Sequence, residues 1–84
     1  MEFETAFAWV NEHDGVVRFF QDVHTEARKI RLSVPTQEEQ DPVTVISTIH
    51  PSDPTGMATL VAVVEQVMPQ FEVQDRRAQM RLVG

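Results

Sequence analysis

One short run of the chain, His50-Pro51-Ser52-Asp53-Pro54-Thr55-Gly56, gathers an imidazole, two hydroxyls, a carboxylate and a glycine. It joins a β-branched stretch to an amphipathic one and so reads as a strand-to-helix turn. Such a turn exposes backbone N–H groups at the positive end of the helix dipole, a natural place to receive a carboxylate or phosphate. His50, Ser52, Asp53, Thr55 and Gly56 are therefore the candidate ligand-binding residues. The competing reading is plain helix capping, in which Asp53 itself takes the anion position.

The remaining chemistry-bearing residues do not assemble into a motif. His13, His24 and His50 fall at no metal-ligand spacing, so no metal site is expected. Ser47, Thr48, Ser52 and Thr55 have only His50 near them as a base, which is too little for nucleophilic catalysis. Gly15, Gly56 and Gly84 are too few and too scattered for a phosphate-cradling loop or a dinucleotide fingerprint. There are no cysteines, which removes thiol chemistry, disulfides and iron–sulfur ligation together. The expectation is a chain without catalytic activity and without a cofactor.

Elements that position these residues follow from periodicity. Val43 to Ile49 is dense in β-branched residues and framed by Pro42 and Pro51, which marks a strand. The next element is a helix capped by Ser52 or Asp53, with Pro54 near its start. Its stripe runs through Met57, Leu60, Val61, Val64 and Val67 or Met68, and Pro69 ends it. Ile30, Leu32 and Val34 alternate with Arg31 and Ser33 up to Pro35, a second strand, and the polar run Pro35 to Pro42 is a loop. Gly15 to Lys29 places Val16, Phe20, Val23, Ala27 and Ile30 at helical spacing, with Asp14 as the cap. Phe71 and Val73, then Met80 and Leu82 beyond a charged turn at Asp75 to Arg77, read as one bent strand or a terminal hairpin. Glu2 to Val10 fits either a helix or a strand, and its aromatic content favours the strand.

The order is then β-α-β-β-α-β in a single domain over residues 1–84. That is an α+β fold of ferredoxin-like kind, a two-layer sandwich with a four-stranded antiparallel sheet and two helices on one face. Within that layout Asp53-Pro54-Thr55-Gly56-Met57 resembles the D-x-P-G-x-L turn of ACT-like regulatory domains. The proline falls one place early, and the turn follows a later strand than in that family. The resemblance implies a small-molecule-sensing role for the 50–56 turn and pairing of subunits.

Charge and composition bound the partners. The net charge is −6 and uneven. Residues 1–14 hold Glu2, Glu4, Glu12 and Asp14 without a base, and residues 35–56 hold Glu38, Glu39, Asp41 and Asp53 without one. Between them Arg18, Arg28, Lys29 and Arg31 outnumber Asp22 and Glu26, so two differently charged surfaces are expected. Overall acidity disfavours nucleic acid as a partner. No wholly apolar run is longer than Leu60 to Val64, which is far short of a membrane span. Absence of cysteine suits a reducing, cytoplasmic setting. The leading expectation is a non-catalytic protein-interaction or assembly module, homodimeric through an open sheet edge or bound to another protein. An ACT-like sensor and an acidic inhibitor imitating nucleic acid are the alternatives.

Overall fold

A computed structural model describes residues 1–36 and 40–83. The chain runs α1 (Phe3–Glu12), β1 (Val16–Gln21), β2 (Arg28–Val34), β3 (Val43–Thr48), α2 (Met57–Val67), a 3₁₀ turn (Met68–Phe71) and α3 (Glu72–Val83). The three strands form one antiparallel meander in the order β1-β2-β3. The α+β class holds. The ferredoxin-like four-stranded βαββαβ sandwich does not, because the sheet has three strands and three of the six expected elements are of the other type.

The first correction is at residues 2–10, which form helix α1. Ala6, Trp9 and Val10 are buried and Phe3 packs beside them, so spacing of three and four residues prevailed over aromatic β-propensity. The second is at residues 15–29, where the expected helix is β1 followed by a tight turn. Asp22 accepts hydrogen bonds from the backbone N–H groups of His24 (2.8 Å) and Thr25 (3.1 Å), and Glu26 adopts a left-handed backbone at φ 61°. That side-chain turn reverses the chain and lets β2 pair back on β1. The third is at residues 71–83, where the expected strand or hairpin is the end of the 3₁₀ turn and α3. Glu72 to Val83 is made mostly of Arg, Gln, Ala, Met and Leu, which favour helix.

Strands β2 and β3 and the described part of the 35–42 loop agree with the sequence reading, and helix α2 agrees in existence and place but begins at Met57 with Gly56 at its N-cap, not at Ser52 or Asp53, which leaves Pro54 in the preceding turn; residues 37–39 of the loop lie outside the described residues. The core is one cluster between the helices and the sheet. Ile30, Leu32 and Val34 supply it from β2, Leu60, Val63, Val64 and Val67 from α2, and Phe71 closes the end. Phe71 meets Trp9 edge-on at 5.6 Å between ring centroids. Gly56 opens α2 at φ 74°, and a side chain there would meet the Phe19 ring at 2.8 Å, so the site requires glycine on two counts.

Candidate functional site

The 50–56 turn brings its polar groups onto one another. The His50 Nδ1 accepts from the Ser52 hydroxyl at 2.7 Å and from the Ser52 backbone N–H at 3.0 Å, which fixes Nδ1 as the unprotonated nitrogen. Asp53 Oδ2 accepts from both the backbone N–H (2.9 Å) and the hydroxyl (2.7 Å) of Thr59 in the first turn of α2. Those two bonds hold its carboxyl below the ordinary value of 3.8. Thr55 Oγ1 accepts from Met57 N–H at 3.3 Å, and the Pro54 carbonyl accepts from Arg28 at 2.8 Å. Of the five candidates only His50 and Ser52 join through a side-chain bond, while Asp53 and Thr55 turn to Thr59 and Met57 of α2, so the anion position at the helix start is filled by the chain's own Asp53. The four-stranded layout on which the ACT-like resemblance depended is absent.

His13, which the sequence left without a partner, is half-buried at the junction of α1 and α3. Its ring stacks on Trp9 at 3.9 Å between centroids. Nδ1 lies 2.8 Å from the Trp9 carbonyl and Nε2 lies 2.8 Å from Asp75 Oδ1. The open depression beside it, about 520 Å³, is lined by Glu12, Asp14, Asp75, Pro35, Thr36 and Gln74. Both ring nitrogens already have protein partners, so His13 joins two helices and does not face the depression as a free base.

A third feature was hidden from sequence because its residues were assigned to a helix and two separate strands. Helices cover only one face of the sheet, and strand register fixes what the other face carries. Directly opposite residues share a side. Val16, Ser33 and Thr44 therefore form one row, Arg18, Arg31 and Ile46 the next, and Phe20, Lys29 and Thr48 the third. Val16 (53% exposed), Phe20 (40%) and Ile46 (55%) are apolar side chains left in water. Lys29 is held by Asp22 at 3.3 Å, which, after the two turn N–H groups, helps keep the Asp22 carboxyl below 3.8. Arg18 and Arg31 stand opposite one another, and no described carboxylate pairs with either.

Like charges directly opposite one another in a sheet are destabilising, so the Arg18–Arg31 pair is an unfavourable feature of the sheet taken alone. The signal that could have found it is the run Val16-Val17-Arg18-Phe19-Phe20. It is richer in β-branched and aromatic residues than in helix formers. No known family model, curated protein or solved structure matches the chain.

Proposed function

We propose that the chain is a non-catalytic protein-interaction module and that the uncovered sheet face is its contact surface. One observation carries this reading: two opposed arginines without a described ion-pair partner, ringed by exposed Val16, Phe20 and Ile46. Cations set among apolar side chains fit a polypeptide surface that offers a carboxylate together with hydrophobic residues. A phosphate backbone would use the cations but leave Val16 and Ile46 unmatched, and the net charge of −6 opposes it at a distance. The docking side in this reading is the sheet face where Arg18, Lys29 and Arg31 converge.

The test is an amide NMR titration with a synthetic peptide of alternating Glu and Leu, set beside a titration with a single-stranded oligonucleotide. The peptide is expected to move the amides of Arg18, Lys29, Arg31 and Ile46, and Arg18→Glu with Arg31→Glu is expected to abolish those shifts while the rest of the spectrum is retained. Peptide shifts confined to other surfaces would overturn the reading. A stronger response of the same amides to the oligonucleotide would transfer the face to nucleic acid.

A further inference from the structure

We propose that the outer edge of β3 pairs antiparallel with β3 of a second copy about a two-fold axis at Ile46, joining two three-stranded sheets into one of six strands. This uses the same sheet as the proposed function but does not depend on what its face binds.

Backbone direction is fixed by one bond. The Ile49 N–H donates to the Arg28 carbonyl at 2.8 Å, so the residues of β3 that face β2 with their backbone are Ser47, Val45 and Val43. Thr44, Ile46 and Thr48 turn their N–H and C=O groups the other way. No strand pairs with that edge among the described residues. The side chains of these same three residues lie on the uncovered face and are exposed.

Sheet edges are usually protected by a charge, a proline, a bulge or a covering element. Strand β3 has none of the first three between Val43 and Thr48, and its register with β2 runs without interruption. The other edge differs: β1 carries Arg18 and leads directly into Asp22. In a chain of net charge −6 a neutral edge meets its own copy without like charges at the contact, and β3 is the one strand of the sheet without an ionisable residue.

Self-pairing about Ile46 is also complementary in detail. Ile46 of one copy lies opposite Ile46 of the other, which takes an exposed isoleucine out of water. Thr44 lies opposite Thr48 of the other copy and Thr48 opposite Thr44. Threonine pairs and pairs of β-branched apolar residues are favourable cross-strand neighbours. Each of these pairs exchanges two backbone hydrogen bonds, so every outward-facing N–H and C=O of the strand is satisfied. Pro42 and Pro51 lie just outside the paired segment and limit its length. Arg31 of the two copies would be separated by three strand spacings, about 14 Å, which is beyond the Debye length at physiological salt.

The register makes the proposal testable by charge pattern. Sedimentation across micromolar to millimolar concentrations should show the wild-type mass rising from 9.6 kDa toward twice that value. Thr44→Lys with Thr48→Lys in one chain sets lysine against lysine in both outer pairs and should hold the protein at 9.6 kDa. Thr44→Lys with Thr48→Glu sets lysine against glutamate and should restore association. Ile46→Lys, which opposes two lysines on the axis, should abolish it. Circular dichroism of each variant should match the wild type, which separates lost pairing from lost folding. A wild type that stays monomeric to millimolar concentration overturns the proposal. So does a double-lysine variant that associates like the wild type, or a lysine–glutamate variant no better than the double lysine. Peptide titration of the wild type at micromolar concentration, where the chain is monomeric, reads the sheet face with Thr44 and Thr48 unaltered, so the two proposals fail separately.

Discussion

Asp53 shows how one side chain can look like part of a binding site and act as a structural cap. Its carboxylate accepts two hydrogen bonds from Thr59, and those bonds hold its pKa below 3.8. Folding therefore favours the ionised form. The resulting stabilisation is complete above 3.8 and is lost as pH falls through the lower, folded-state value. Asp53→Asn removes the charge while keeping the shape. The wild type is expected to exceed this variant in stability at neutral pH, and the gap should narrow as the pH is taken below 3.8. Urea titrations of both proteins at the two ends of that range check it, because other carboxylates titrate alike in both and cancel in the difference. A gap that stays constant with pH would show that the charge of Asp53 is not what holds the turn.

At the scale of elements, the 3₁₀ turn matters more than its length suggests. It delivers Phe71, 1% exposed, onto the rings of Trp9 and His13, and so ties the start of α3 to α1. Phe71→Ala is expected to destabilise by about 3–5 kcal/mol through lost burial and the cavity left behind. Chemical denaturation measures it, with the Trp9 fluorescence change reporting on the same contact. That is a large part of the roughly 5–15 kcal/mol that holds a typical domain, and at about 4–8 °C per kcal/mol the variant should melt tens of degrees below the wild type. How far these elements could be read from sequence depended on whether local pattern and burial agreed. In β2, β3 and α2 they did: Ile30, Leu32 and Val34 alternate and are buried, and Leu60, Val64 and Val67 recur at helical spacing and are buried. In β1 they did not. Val16 and Phe20 are four residues apart and apolar, as in a helix, yet both stay exposed on the uncovered face. Val73 and Met80 likewise fit an alternating pattern but stand 63% and 72% exposed on α3. Apolar residues left in water imitate a core stripe, and the same misreading hid the candidate face, since its rows appear only once β1 lies beside β2.

Across the whole molecule, the uneven charge seen along the sequence becomes a difference between surfaces. The net charge is −6, yet the uncovered face carries Arg18, Lys29 and Arg31 and no carboxylate within its rows, while β3 at its edge is neutral. Two kinds of association with opposite salt dependence should follow. Binding of an acidic peptide to Arg18 and Arg31 is an attraction between opposite charges, so added salt should weaken it. Pairing of β3 with β3 brings together two bodies of like net charge through a neutral contact, so added salt should strengthen it by screening their repulsion. Between about 0.01 M and about 1 M salt the Debye length falls from about 30 Å to about 3 Å, wide enough to separate the two trends. Peptide titrations by NMR and sedimentation of the free chain across that range are the measurements. If both associations weakened together with salt, charge would dominate the edge as well, and the neutral pairing of β3 would be wrong. If neither changed, the arginines would have no part in recognition and the apolar residues Val16, Phe20 and Ile46 would carry the face alone.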